Sequence, residues 1–470
     1  MIVYKLLAED DKQALIEKII SLDLENEALR KENERLKEEL TKSKHEQKKF
    51  YEEKKPLKRS KPSHLWGRKA GHPGSTRPKP NQIDREVNQR LKQCPKCLHG
   101  LGKAIGVVEH IQEDIIPSHV EVTRYKRHRY WCPHCKENIT APYVADEVPY
   151  GYIGPRALVM MVWLKYYHSL PGNKIKDIFR DFCQLKISEG AIAQALQRLA
   201  RYLGVEAESI LKGIRNAPYK HGDETGWKIN GIGHWLWALA NEQWAYFQIN
   251  RSRGSKVIKE LLGDPFMGVL ISDFYCAYNR IKGIKQKCLV HLRREMHNAK
   301  GTDPPRSFLE PNKKLNRILD DALRLAEKRE TMSTLMFRRR TRRIKERLID
   351  FGCASYSNKT WQRLSKRLLK HEKELFTFLD QPGVPSHNNA AERSIRPHVI
   401  FRNRSFQNRT DKGAQAHSTL TSLVQTLALQ KQDSLSSLAS AYVKHRQGYE
   451  QPFLFQTSPP AASVYPNLTA

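Results

Sequence analysis

Four cysteines and three carboxylates are the residues of this 470-residue chain whose types and spacing suit chemistry. Cys94-Pro-Lys-Cys97 and Cys132-Pro-His-Cys135 are matched Cys-x-x-Cys knuckles with thirty-four residues between them. Four thiolates make the closed tetrahedral sulfur set that zinc takes at a structural site, so one structural Zn²⁺ is expected here. Unrelated cysteines or a redox pair are plainer alternatives, and the repeated knuckle favours zinc. The long gap calls for an extended hairpin, for which residues 119–131 offer an early alternation rich in rings and cations. Lys126, Arg127 and Arg129, interleaved with Tyr125, Tyr130 and Trp131, suit a strand that touches nucleic acid.

The carboxylates stand out because the chain is so basic. Its 82 Lys and Arg against 50 Asp and Glu leave a formal charge of +32. Asp223 lies in Tyr219-Lys-His-Gly-Asp-Glu-Thr-Gly-Trp227, and Asp273 ends the apolar run Gly268-Val-Leu-Ile-Ser. Glu392 sits in His387-Asn-Asn-Ala-Ala-Glu-Arg-Ser-Ile-Arg-Pro397, a helical segment with Asn at its cap. Two strands and a helix could bring three such acids around two Mg²⁺ ions about 4 Å apart, the arrangement that drives in-line phosphoryl displacement. Each acid also has a bland reading: a strand-end Asp caps turns, and Glu392 can pair with Arg396 at i,i+4. Glu224 follows Asp223 on its strand, points to the opposite face, and is expected to tolerate Gln.

Several elements must position these residues. Leu15, Leu22, Leu29 and Leu36 recur every seven residues, with Ile19, Asn26, Asn33 and Leu40 four places after them. That is a heptad with Leu at d and two Asn at a, favouring a parallel dimer over a single amphipathic helix. Residues 54–80 have nine Lys or Arg and no acid, as a solvated basic linker would. Ser188 can cap a helix from Glu189 with an inward stripe of Ile192, Ala195, Leu196 and Leu199, and the preceding periodic stretch allows a helix-turn-helix. Between 217 and 290 the pattern turns to strands, with Gly231 and Gly233 at one turn, Asn241-Glu242 at the next, and a helix over Ser255–Leu262. Residues 305–380 return to helical texture. There, seven of the ten residues Arg338 to Arg347 are cationic, a density suited to phosphates.

Composition excludes other classes. The longest apolar run, Leu158 to Leu164, is far short of a membrane span, and the first residues lack the apolar core of a secretory signal. A reducing cytoplasm is therefore expected for the eight cysteines. So strong a basic excess points to nucleic acid as the partner.

Taken in order, these strings resemble the DDE transposases of the insertion-sequence-66 type over nearly the whole chain. The resemblance is carried by the zipper, the paired knuckles, Asp-Glu-Thr at Asp223 and Ser-Asp-Phe-Tyr-Cys-Ala-Tyr at Asp273. It continues in Cys288-Leu-Val-His291-Leu-Arg-Arg294 and in the Asn-Asn-Ala-Ala-Glu-Arg string at Glu392. It implies a multidomain α/β protein with an RNase H-like mixed-sheet catalytic core, interrupted by a helical insertion. Asp223, Asp273 and Glu392 would be the catalytic triad holding two Mg²⁺, and Cys94, Cys97, Cys132 and Cys135 the ligands of one Zn²⁺. The implied order is a coiled coil at 1–53, a basic linker at 54–85, a zinc-binding β domain at 86–148 and a helix-turn-helix-like region at 150–212. The core then spans 213–300 and 384–430 around an insertion at 301–383, with a C-terminal helix and tail at 431–470.

The activity implied is Mg²⁺-dependent DNA cleavage and strand transfer at the ends of an insertion sequence. The alternative is a non-catalytic zinc-finger and zipper regulator, or an inactivated transposase. Expected DNA contacts comprise Lys126, Arg127, Arg129, His291, Arg293, Arg294, Arg338, Arg339, Arg340, Arg393 and Arg396. Expected partners are double-stranded DNA (terminal repeats and target), a second copy through the coiled coil and small accessory proteins of the same element. No membrane is involved, and the expected location is the nucleoid-associated cytoplasm. Leu98 stands where a Gly is usual after the first knuckle, so a different turn is expected there.

Overall fold

The computed structural model describes residues 120–301 and 304–455, residues 82–87, and parts of 18–34 and 92–103. The chain divides into two compact units, Met1–Asp114 and Ile115–Ala470. Residues 54–81 of the linker, the heptad positions Leu15, Ile19, Leu36 and Leu40, and Cys94 and Cys97 lie outside the described residues. In the first unit the backbone is helical at 25–29 and 31–34, with Leu22 and Leu29 about half exposed. Asn33 Nδ2 donates to the Leu29 carbonyl at 3.1 Å. Gln93 and Gly100 form an antiparallel bridge around the first knuckle, and Leu98 adopts φ 60°. The left-handed conformation a glycine would favour is thus kept despite the side chain.

The second unit opens with an antiparallel hairpin of β1 (Arg129–Cys132) and β2 (Glu137–Thr140), in which Cys132 faces Glu137. Helices α1 (Pro155–Val162), α2 (Gly172–Asp181), α3 (Glu189–Tyr202) and α4 (Gly204–Asn216) follow. Ser188 Oγ accepts the Ala191 N–H at 3.1 Å, and Ile192, Ala195, Leu196 and Leu199 are buried, as the spacing requires.

Next comes a five-stranded sheet. Strands β3 (Tyr219–Ile229), β4 (Ile232–Ala240) and β5 (Ala245–Asn250) form an antiparallel meander. After α5 (Ser255–Leu262), β6 (Val269–Ser272) lies parallel to β3. A short α6 (Cys276–Asn279) leads to β7 (Ile284–Lys287), parallel to β6. The sheet order is β5-β4-β3-β6-β7. Gly268 permits this crossover: a Cβ there would stand 2.5 Å from the Pro218 carbonyl, which accepts the Val269 N–H at 2.9 Å.

Side chains alternate between two cores. Leu270 joins one, with Trp227, Trp237, Phe247 and the α1–α4 side chains, while Val269 and Ile271 join another. The second core belongs to α7 (Leu289–Lys300) and to the helices after it. These are α8 (Arg306–Glu327), α9 (Thr334–Cys353), α10 (Lys359–Lys370), α11 (Glu372–Leu375) and α12 (Thr377–Asp380), packed around Phe308, Leu319, Phe351 and Trp361.

The chain returns to the sheet through α13 (Asn389–Ser405), α14 (Asp411–Leu429) and α15 (Ser434–Arg446). Ser418, Ser422 and Thr426, four residues apart on α14, accept the N–H groups of Ile249, Phe247 and Ala245 at 2.9–3.2 Å. The outer edge of β5 is thereby covered. No helix among the described residues is long and apolar enough to cross a membrane.

Candidate active site

The parallel pairing of β3 with β6 sets the site. His221 is opposite Ile271, so Asp223 and Asp273, each two residues further on, come level and share a face. Asp273 Oδ1 accepts the Tyr275 N–H at 2.8 Å, which turns the chain into α6. Buried Lys287, at the end of β7, donates to the Asp273 carbonyl at 3.0 Å. Burial lowers its pKa to about 8, against the opposing pull of Glu374 and Asp273.

Asn388 ties the start of the helix that carries Glu392 to β3. It is fully buried, its Nδ2 donates to the Gly222 carbonyl at 2.9 Å, and its Oδ1 meets His221 Nδ1 at 3.1 Å. Its backbone N–H donates to Cys288 Sγ at 3.1 Å, and its carbonyl accepts the Glu392 N–H at 3.2 Å. One side chain therefore fastens the start of α13 to the residue before Asp223. Burial holds the His221 pKa at about 4, so the ring is neutral; facing Oδ1, its Nδ1 carries the proton.

The acids feel one another. Asp223 has its pKa raised to about 7, chiefly by burial, with Glu224, Asp273 and Glu392 adding repulsion against a backbone hydrogen bond from Glu224. Glu392 Oε1 is buried with no hydrogen-bond partner; His291 Nε2 stands 3.5 Å from it, and Arg294 Nη2 is 3.7 Å from Oε2. No Glu392–Arg396 pair forms among the described residues, and Arg393 and Arg396 are exposed. Among those residues no three His, Cys, Asp or Glu side chains stand closed around a single metal position. An unbonded carboxylate oxygen beside a strained acid still suits a divalent cation that takes its remaining ligands from water and phosphate.

Glu224, expected to tolerate Gln, has partners that strand alternation does not reveal. It turns to the face opposite Asp223 as expected, but its side chain is only 2% exposed. Arg253 holds Oε1 at 2.9 Å and Tyr278 donates to Oε2 at 2.5 Å, so Gln would remove the buried charge that a half-exposed arginine pairs with. The sequence reading also missed Asn388 and Lys287 as positioning groups. Asn388 lies inside the Asn-Asn-Ala-Ala-Glu string, and only its assignment as a cap hinted at more.

The other expected contacts are dispersed. Arg127 donates to the Ala141 carbonyl, stacks on Tyr143 at 3.7 Å and reaches Glu147, while Lys126 and Arg129 are exposed. Arg293 is bound to Asp320 at 2.6 Å, and Arg338, Arg339 and Arg340 are exposed on α9. In the second knuckle, hydrogen bonds from Cys135 and His134 lower the Cys132 thiol pKa, and Lys136 takes φ 55°, the counterpart of Leu98.

The class defined by the fold is a mixed α/β protein, with Asp223 and Asp273 level on its sheet and Glu392 on a helix that follows a run of helices. Residues 150–416, more than half of the chain, match the family model for transposases of the IS66 family. Residues 92–136 match that for the zinc-finger binding domain of transposase IS66. The chain belongs to the IS66 transposase family. It is also 24% identical over 393 residues to the uncharacterized protein y4qI of Sinorhizobium fredii, covering 76% of this chain and 72% of that one.

Proposed function

We propose that the chain is a DDE-type transposase that cleaves DNA at the ends of its element and joins the freed strands to a target. The observation that carries this reading is the level placement of Asp223 and Asp273 on parallel strands, with Glu392 electrostatically coupled to Asp223. The RNase H-like reading is supported by the sheet order, an antiparallel three-strand meander followed by two parallel strands. Asp223, Asp273 and Glu392 would hold two Mg²⁺, and those ions would supply Lewis acidity to the phosphate and to the attacking water or 3′-hydroxyl. Asn388 keeps Glu392 in register with Asp223. Lys287 fixes the turn that presents Asp273. Arg294, Arg393 and Arg396 offer cations to the flanking phosphates.

One Zn²⁺ on Cys94, Cys97, Cys132 and Cys135 is supported by the zinc-finger match that spans all four residues. A dimer through the heptad is supported by the exposed Leu22 and Leu29 of the single chain. DNA ends, target DNA and accessory proteins of the element are the proposed partners, in the nucleoid-associated cytoplasm.

The test is Glu392→Gln in the full chain with Mg²⁺ and a duplex carrying an element end. Binding is expected to survive while cleavage and strand transfer fall by orders of magnitude. Near-normal cleavage in this variant, with Asp223→Asn and Asp273→Asn inactive, would remove Glu392 from the triad. Full activity in all three would place the catalytic acids elsewhere, and end binding by the wild type without any cleavage would leave a DNA-binding regulator.

A further inference from the structure

Helices α8 and α9 enclose an open groove of about 280 Å³, lined by Asp321, Arg324, Lys328, Arg340, Arg343 and Arg347 with only Leu325 and Ile344 at its floor. The cations fall on facing stripes, Arg324 and the C-cap residue Lys328 at the end of one helix and 340, 343 and 347 at helix-face spacing on the other. Asp321 binds Arg347 at 2.8 Å and approaches Arg324 at 3.7 Å. Lys328, Arg340 and Arg343 are exposed, and their side chains make no ion pair or hydrogen bond among the described residues. Arg338 and Arg339, adjacent in sequence, do not line the groove.

Unpaired cations crowded on two packed helices repel one another, so the arrangement gains stability only when an anion enters. No aromatic side chain lines the groove to stack on a base, which favours a phosphodiester backbone over a free nucleotide. We propose that this groove is a phosphate-binding site of the insertion, gripping DNA backbone through Lys328, Arg340 and Arg343 independently of the acid site. The inference rests on the reading of the chain as a DNA-processing protein.

Binding of the full chain to a 30-base-pair duplex of arbitrary sequence, followed by fluorescence anisotropy over a KCl series in EDTA, tests it. The triple variant K328Q/R340Q/R343Q should lose about 2–3 units of the slope of log K against log salt, at roughly 0.9 per phosphate. R338Q/R339Q should lose less than half as much. If the triple variant is poorly folded by its melting curve, R343Q alone should lose up to about 0.9 units. An unchanged slope, or an equal loss in R338Q/R339Q, overturns the proposal. Stabilisation of the wild type by ADP, absent in the triple variant and without a slope difference, would overturn it in favour of a nucleotide site. EDTA separates the outcomes: failure of the Mg²⁺ chemistry leaves this slope intact, and failure of the groove leaves the Mg²⁺ chemistry intact.

Discussion

The acid site and the basic groove solve opposite problems. Around Asp223 the polar groups are buried and tied: Asn388 to Gly222 and His221, Cys288 to Asn388, Lys287 to the turn at Asp273. Along α9 the arginines stand in solvent, and several touch no partner among the described residues. The proposed chemistry at a phosphorus atom would need carboxylates held closely in place, and the tied groups around Asp223 would supply that order. Attraction of a polyanion needs only charge at the right distance, and long side chains left free supply it. Substitutions should accordingly be severe and geometry-dependent at the first region, mild and salt-dependent at the second.

The largest effect is expected from Asp223→Asn. Cleavage should fall by orders of magnitude, yet the metal-free variant should be more stable than the wild type at pH 8. The folded pKa, about 7, lies above the ordinary value of 3.8. The folded state thus binds this proton more tightly than the unfolded chain does. Its stabilisation is complete below pH 4, declines as pH rises toward 7 and is gone above it. Asn cannot ionise, so it should recover at most roughly 4 kcal/mol at pH 8. Thermal melts in EDTA at pH 5 and pH 8 check this: the gain should appear at pH 8 and shrink at pH 5. Added Mg²⁺ should then stabilise the wild type and not the variant. A variant less stable than the wild type at pH 8 would mean that the carboxylate is already satisfied by the protein.

Asn388→Ala comes next. It leaves the Gly222 carbonyl and His221 Nδ1 buried without their partners, at a cost of roughly 2–4 kcal/mol. Because α13 is fastened to β3 through this residue, cleavage should fall in kcat more than in DNA binding. Asn388→Asp tests the geometry separately: the shape is kept, but the donor to Gly222 is lost and a charge is buried. Urea unfolding and single-turnover cleavage measure the two effects. A variant of wild-type stability and reduced kcat would place Asn388 among the groups that touch substrate.

How much of this was legible follows from sequence separation. Ser188 and its stripe, the helix from Ser255 to Leu262, and the turns at Gly231 and Asn241 are local features, and the pattern of the chain exposes them. The three acids were legible through their flanking strings. The contact of Asn388 with Gly222 spans 166 positions, and nothing in either segment announces the other. Glu224 shows a second kind of limit. Strand alternation gave its direction correctly, but the opposite face is covered by Tyr278 and Arg253 rather than water, and only the packing of α6 decides that. In the same way, the hydroxyls of Ser418, Ser422 and Thr426 repeat every four residues, yet their role against β5 needs the folded sheet.

The smallest effect sharpens the comparison from the other side. Arg342 and Glu346 form an i,i+4 pair on α9 at 3.5 Å, with both side chains more than half exposed. The cation lies N-terminal to the acid, the less favourable order for a helix pair, and water screens both groups. Glu346→Gln should therefore cost no more than about 0.5 kcal/mol at low salt and nothing measurable at 0.5 M KCl. The substitution also removes one of the few acids among the α9 arginines, so DNA affinity should rise slightly while the site chemistry stays unchanged. Urea unfolding at the two salt concentrations is the measurement. A loss above about 1 kcal/mol that persists in high salt would show the charged block to be part of the fold. The α9 arginines would then be tied structural groups like those around Asp223, and their reading as free phosphate contacts would have to go.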